Sequence, residues 1–369
     1  MLWLCLVLIG VGLAVSLPGA ELMRRLGRRV GALDTEPIAG QVKMDRRAIP
    51  NTGGVAIFLG VALPMIAALT GAWLIGSAGS GWLDSAKEHL PGIRAETPNA
   101  VVMLIALTVL HVVGVVDDRR PMGPWIKLGL ILGLAFIVVW RTDTRLLTVL
   151  DGHAGGRWLS IAITVLWFGV VTNAMNFMDN MDGICAGCAA TASACYLGAA
   201  LLNEQWFVAA TAALLLGSLL GFLVFNFPPA KLFMGDGGSL VIGFLLAFLT
   251  VRTTYFGGVR PGGWYGVFMP LCVLAIPLYD FASVTLVRLA SGKSPFVGDL
   301  NHFSHRLVRR GLSNRQTLGV VCALTAATGI AGITLASLGP LLAVFIGIQV
   351  ALILLVVAAL EWGGRNQPS

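Results

Sequence analysis

The sequence predicts an all-α protein, a polytopic membrane helical bundle of about eleven transmembrane helices with its N-terminus outside and its C-terminus cytoplasmic. Three observations carry that prediction. Only 12% of the 369 residues are charged and 57% are hydrophobic, against roughly 25% charged in an ordinary soluble domain. So few charges cannot clothe a chain of this size in solvated surface, so the bilayer is its solvent. A soluble enzyme, a disordered chain and a secreted disulfide scaffold are excluded. Apolar runs close to the length of a span recur from end to end. Basic residues concentrate in alternate loops.

The runs fall at 2–19, 53–76, 98–116, 124–140, 159–176, 183–202, 206–226, 238–252, 264–282, 317–336 and 339–361. The first has no Lys or Arg before it and Arg24, Arg25, Arg28 and Arg29 after it. A signal peptide has the opposite flanks, so this run reads as an uncleaved anchor with its N-terminus outside. The run at 238–252 is the shortest, as a span shielded by its neighbours can be. Gly217-Ser-Leu-Leu-Gly221 has the small-xxx-small spacing that lets helices approach closely.

Sorted by alternating loop, eighteen Lys and Arg lie on the side of residues 20–52 and seven on the other, which accounts for all 25. The richer side is expected to be cytoplasmic. The net charge of +7 therefore reports orientation, and nucleic acid is not expected as a partner, since no basic patch carries interleaved aromatics. Six cysteines sit in or beside apolar runs. Cys185 and Cys188 form a lone C-x-x-C, better read as small helix-packing residues than as a metal or redox pair. No internal repeat and no long loop divides the chain. Residues 1–369 read as one integral-membrane domain, with active-site loops near 20–52, 117–127, 176–183, 226–239 and 283–316.

Four separate segments bring acid or imidazole to the richer side. Asp117 and Asp118 end the third run, and Asp179 and Asp182 lie between the fifth and sixth. Asp236 opens the eighth, and Asp299, His302 and His305 sit in the loop before the tenth. Singly, each has a duller reading: a solvated interface carboxylate, an exposed ion pair worth little, or a helix cap. Together they are functional candidates, because carboxylates at helix ends in apolar surroundings are costly. Converging acids suit a hard divalent cation such as Mg²⁺, or Mn²⁺, held by one or two carboxylates plus substrate phosphates. The Gly235-Asp236-Gly237-Gly238-Ser239 turn adds a helix N-terminus that favours an anion. Asp299, His302 and His305 would share one stripe if that loop were helical. Zinc is the runner-up there, and a phosphate-facing cluster with Arg306 fits better. This chemistry is Mg²⁺-dependent phosphoryl transfer at a membrane surface, with substrates left open.

In order, the motifs are Pro50-x-x-Gly53-Gly54, Val-Asp117-Asp118, Asn176-x-x-Asp179-x-x-Asp182-Gly183, Asn226-x-x-Pro-Ala-Lys-x-Phe-Met-Gly-Asp236-x-Gly-Ser239 and Asp299-x-x-His302-x-x-His305-Arg306-Leu307. From about residue 43 to 312 the chain thus resembles the polyprenyl-phosphate N-acetylhexosamine-1-phosphate transferases, in the branch acting on undecaprenyl phosphate and N-acetylglucosamine. The resemblance implies transfer of a sugar-1-phosphate from a UDP-sugar to a polyprenyl phosphate, with release of UMP, to start lipid-linked cell-envelope glycans. The short, compact loops favour an inner (plasma) membrane location with membrane lipid around the spans, and the sequence is compatible with a homodimer without giving the oligomeric state.

Carried over by position, Asp117 would deprotonate or position the lipid phosphate with Asp118 beside it. Asp236 would hold Mg²⁺ against the diphosphate, with Asp117 and Asp118 as further metal candidates. Asn176, Asp179, Asp182 and Asn226 would line the nucleotide pocket, with Phe233 stacked on uracil. Lys127 would lie near the phosphates, and His302, His305 and Arg306 would bind the diphosphate or sugar.

The sugar-lipid branch usually reads His-x-His-His in the last loop, where this chain has His302-Phe-Ser304-His305. The branch using UDP-N-acetylmuramoyl-pentapeptide usually has three consecutive histidines, which this chain lacks. UDP-N-acetylglucosamine is therefore the favoured donor and the pentapeptide donor the alternative. A secondary transporter is a distant alternative, because the acids lie at one end of the helices rather than at the midplane. The Asp-Gly-x-x-Ala-Arg pattern of CDP-alcohol phosphotransferases is absent, since Ile-Cys-Ala-Gly follows Asp182-Gly183.

Overall fold

The computed structural model describes residues 1–33, 48–74, 89–152, 155–253, 264–295 and 299–362. Lys43, Arg46 and Arg47, in the loop expected over 20–52, lie outside the described residues. Thirteen helices are described: α1 (Leu2–Arg29), α2 (Gly53–Leu74), α3 (Leu90–Asp117), α4 (Pro124–Thr142), α5 (Gly156–Met178), α6 (Ile184–Leu202), α7 (Trp206–Asn226), α8 (Asp236–Arg252), α9 (Met269–Val273), α10 (Ala275–Ala290), α11 (Phe303–Arg309), α12 (Asn314–Thr334) and α13 (Pro340–Trp362). Extended pairing among the described residues is limited to two isolated bridges, Leu33 with Pro50 and Asn51 with Phe233.

Every predicted run is helical over its described residues. Nine of the helices are long and apolar enough to cross a membrane, or ten when the bent pair α9–α10 is taken as one span. The chain is a multi-pass membrane protein. The run read as 264–282 is broken: α9 and α10 meet at 69°, and α10 continues to Ala290. In the stretch past the expected end, Arg288 is buried inside the fold rather than left in a loop. Helix α3 starts at Leu90 instead of 98, since Glu96 is paired with Arg252 at 2.5 Å and the helix can continue through that end.

The shortest predicted run proves to be the axis of the bundle. Helix α8 has 17 residues, every one from Gly237 to Thr250 is buried, and it packs against α2, α3, α5, α6 and α7. A helix enclosed by others satisfies its backbone internally and meets little lipid, so it needs neither full span length nor an amphipathic pattern. Glycine lets its N-terminal turn close in: a Cβ on Gly54 of α2 or Gly114 of α3 would collide with the α8 backbone at Gly237–Gly238 or Asp236–Gly237. Gly217 and Gly221 of α7 face α1, where Ser16 Oγ donates to the Ser218 carbonyl at 2.7 Å. Cys185 and Cys188 are buried free thiols, in keeping with packing roles.

Candidate active site

The chain entering α8 is shaped by its neighbours before any reactive group is placed. The Phe233 N–H donates to the Pro50 carbonyl at 2.8 Å, while Gly53 and Gly54 donate to the carbonyls of Phe233 and Met234 at 2.9 Å each. The Pro50-x-x-Gly53-Gly54 segment is thus the cradle of the 233–235 segment, with the Phe233 side chain half-buried beside it. Asn226, at the end of α7, accepts from the Gly183 N–H at 3.0 Å and donates to the Leu232 carbonyl at 2.9 Å. Asp182 accepts from the Ala230 N–H at 2.9 Å. Both side chains are buried and tie the 179–183 turn to the 227–235 loop. Asp179 is half-buried at the end of α5, where its N–H donates to the Asn176 carbonyl.

Gly235 has φ +69°, and a Cβ there would strike Asn51 Oδ1 and Asp118 Oδ2. This close approach lets Asp118 reach the first turn of α8. Its Oδ1 accepts from the Asp236 N–H at 3.0 Å and its Oδ2 from the Gly237 N–H at 3.4 Å. Two orphan N–H groups of the helix N-terminus are thereby satisfied. Burial, and then the Asp236 carboxylate, push Asp118 up to about 7.

Lys127, in the first turn of α4, binds two carboxylates at once. Its Nζ lies 2.5 Å from Asp117 Oδ2 and also donates to Asp236 Oδ2. Asn176 Nδ2 holds the other oxygen of Asp236 at 2.9 Å and donates equally to Ser239 Oγ. Asp117 Oδ1 accepts from the Met122 N–H at 2.6 Å. Five of the predicted residues, Asp117, Asp118, Lys127, Asn176 and Asp236, therefore form one connected group at the N-terminus of the central helix.

Asp117 and Asp236 already converge on a single cationic point, so their donor set fits a hard divalent cation. The oxygens of Asp118 are engaged by the N–H groups of Asp236 and Gly237 and by the Asn51 side chain. Among the described residues, no group of three or more His, Cys, Asp or Glu side chains is disposed as a metal cage. That is compatible with Mg²⁺, which takes few protein carboxylates and completes its shell with water and substrate phosphate.

A second polar group is centred on His302. The stripe expected over Asp299, His302 and His305 is corrected here: α11 begins at Phe303 with His302 as its N-cap, so Asp299 lies before the helix. His302 Nδ1 lies 2.8 Å from Asp280 Oδ2, and its Nε2 lies 3.3 Å from Arg288 Nη2. Asp280 also accepts from the Phe303 N–H at 2.6 Å. Arg288 pairs with Asp299 at 3.1 Å and donates to the Pro295 carbonyl at 2.7 Å. Burial works against the ionised Asp299, but Arg288 and Asn301 outweigh it and hold the carboxyl below its usual range. With Asp280 at one His302 ring nitrogen and the Arg288 guanidinium at the other, neither is free to ligate zinc.

His305 is buried, and its Nδ1 is among the buried polar atoms with no hydrogen-bond partner. Burial, followed by the neighbouring His302, lowers its pKa to about 4. Arg306 is directed elsewhere: it donates to Ser283 Oγ at 2.8 Å and lies 3.1 Å from Glu361. Asp280 and Arg288 were not anticipated from the sequence. The signal is an Asp and an Arg eight residues apart on one helix, which is readable only if the helix extends to Ala290.

Residues 100–254 match the family model described as glycosyl transferase family 4. That stretch carries all five residues of the carboxylate group and stops short of His302. The chain is 27% identical over 91% of its length to a probable undecaprenyl-phosphate N-acetylglucosaminyl 1-phosphate transferase of Bacillus subtilis, covering 86% of that protein. It is 28% identical over 74% of its length to a decaprenyl-phosphate N-acetylglucosaminephosphotransferase of Mycobacterium tuberculosis, covering 68% of it. An undecaprenyl-phosphate alpha-N-acetylglucosaminyl 1-phosphate transferase of Escherichia coli is 25% identical over 83% of this chain and 78% of its own. These matches bear out the resemblance read from the motifs.

Proposed function

We propose that this protein is a polyprenyl-phosphate N-acetylhexosamine-1-phosphate transferase. It moves N-acetylglucosamine-1-phosphate from UDP-N-acetylglucosamine to undecaprenyl phosphate and releases UMP, at the cytoplasmic face of the inner membrane. The observation that carries this reading is the shared cation point of Asp117 and Asp236 at the N-terminus of α8, with Lys127 on it. The names of the three relatives supply the substrate classes.

The acceptor phosphate attacks the donor phosphorus next to UMP, and the chain's task is to orient two anions that repel each other. Asp117 receives the acceptor phosphate and takes a proton from its protonated form, where one is present. Lys127, between Asp117 and Asp236, neutralises charge on the diphosphate. Asn176 keeps the Asp236 carboxylate turned toward that point. Asp236 and Asp117 would hold Mg²⁺, which when bound supplies charge neutralisation to the diphosphate. We assign His302, held by Asp280 and Arg288, to the diphosphate or sugar of the donor, and the Phe233 ring to the uracil. No enzyme nucleophile is required for an in-line displacement.

Purified protein is incubated with Mg²⁺, undecaprenyl phosphate and a panel of UDP-sugars, and UMP release is measured. UDP-N-acetylglucosamine is expected to turn over fastest. Folded protein inactive with every donor would refute the reaction, and turnover of UDP-N-acetylmuramoyl-pentapeptide alone would replace the sugar.

A further inference from the structure

The carboxylate group and the His302 group ride on different segments, and the gap between them must match the donor. Buried hydroxyls in this bundle mostly donate within their own helix, as Ser193 does to Ala189, Thr211 to Phe207 and Thr325 to Val321, at 2.7–2.8 Å. Ser304 does not. Its Oγ donates to Asn180 Oδ1 at 2.6 Å, across 124 residues of sequence, and the residue is only 3% exposed. In the first turn of α11 a hydroxyl has no helical carbonyl four residues back to donate to.

Asn180 passes the connection on. Its Nδ2 donates to the Phe177 carbonyl at 2.7 Å. The Phe177 ring has the Arg288 guanidinium 5.1 Å from its centroid and the His302 ring edge-on at 5.9 Å. Immediately before Phe177 stands Asn176, which holds Asp236 and Ser239. One joint therefore couples the 176–180 segment to the His302–His305 segment. Both groups of Asn180 are spent on it, so its side chain has one defined orientation.

The geometry points to Ser304 and Asn180 as a positioning pair that sets the distance between the carboxylates and His302/His305, and so the fit of the nucleotide-sugar donor. Neither touches the reacting atoms. The pair acts by holding Phe177 and Asn176 in register with α11. The assignment rests on the transferase reading above and adds to it a determinant of donor recognition.

The test uses the full chain in detergent or liposomes with UDP-N-acetylglucosamine and undecaprenyl phosphate. Loss of one neutral hydrogen bond should raise the donor KM about 3- to 10-fold in Ser304→Ala. kcat should stay within about twofold and the acceptor KM should not move. Ser304→Thr, which keeps the hydroxyl, should recover the donor KM. Ser304→Cys keeps the volume with a weaker donor and should fall between, and it serves as the test if the alanine variant does not fold. Asn180→Ala, which also loses the bond to the Phe177 carbonyl, should raise the donor KM at least as much as Ser304→Ala, and the double variant should be no worse than Asn180→Ala alone, because the shared interaction is lost only once. Additive effects, an unchanged donor KM, or a fall in kcat alone would overturn the pair while leaving the transferase reading standing. A wild-type protein inactive with every UDP-sugar would overturn that reading and the pair with it.

Discussion

Asn176 donates to Asp236 at 2.9 Å from the same amide nitrogen that donates to Ser239 Oγ at 2.9 Å. The last turn of α5 is thereby fastened to the first turn of α8, and the acid's orientation is set by a neutral side chain with nowhere else to point. Asn176→Ala should lower kcat/KM by about 10- to 100-fold, the range seen when a group that orients a metal-binding carboxylate is lost. Steady-state UMP release decides it, and a rate within twofold of wild type counts against the orienting role.

Lys127 lies between two carboxylates that would otherwise repel. Lys127→Met leaves Asp117 and Asp236 facing each other with no cation between them in a partly buried site. The variant's Tm should fall, and added Mg²⁺ should raise it by more than it raises wild type, since a vacated cation point binds cations more tightly. Equal Mg²⁺ shifts in thermal denaturation would show that these carboxylates are not where the cation binds.

Gly235 has no room for a methyl group, as both Asn51 and Asp118 abut its Cα at φ +69°. Gly235→Ala must push Asp118 off the N–H groups of Asp236 and Gly237. Activity should fall below about 1% of wild type, a loss of about 2.7 kcal/mol or more in transition-state stabilisation. Assay of correctly inserted protein tests it, and substantial activity would mean the loop can relax.

His305 should make the protein acid-sensitive. Its folded pKa, about 4, lies below the ordinary value near 6.5, so the unfolded chain binds the proton more readily between those limits. The stability attached to neutral His305 is full above the ordinary value and is lost as pH falls toward about 4. His305→Gln removes this dependence, so its Tm should drop less than that of wild type between pH 7 and pH 5. Parallel pH curves would assign the sensitivity elsewhere.

Arg288 compensates Asp299 and abuts His302 at once. Arg288→Met should destabilise the 299–309 segment and raise the donor KM by at least tenfold. Limited proteolysis of that segment together with kinetics checks both halves, and an unchanged cleavage pattern would deny it a scaffolding part.

The architecture was legible because lipid imposes a coarse grammar: spans must be long, apolar and flanked by unequal charge. The carboxylate group was legible for the complementary reason, since acids are scarce in this chain and Asp117, Asp118 and Asp236 all fall at the ends of apolar runs on one side of the membrane. What escaped was depth and direction. Asp280 sat inside an apolar run and Arg288 among the orienting basic residues, and only the 69° break between α9 and α10 turns both inward. Asp182 and Asn226 share the acid- and amide-rich motifs with Asp236, yet their partners are backbone groups of the 183–232 region. A motif reports that a residue matters without saying whether it faces substrate or loop. Arg306 likewise adjoins His305 in sequence and points to Glu361.

Helix α8 has almost no flank open to acyl chains, and its partners α2, α3, α5, α6 and α7 stand between it and the bilayer. Stretching or thinning of the membrane acts on outer helices such as α1 and α13, whose most apolar stretches are each only 17% buried. Those can tilt to follow the hydrocarbon. The acid at the head of α8 then keeps its depth while the lipid changes around it, so the same chemistry can operate unaltered in membranes of different composition.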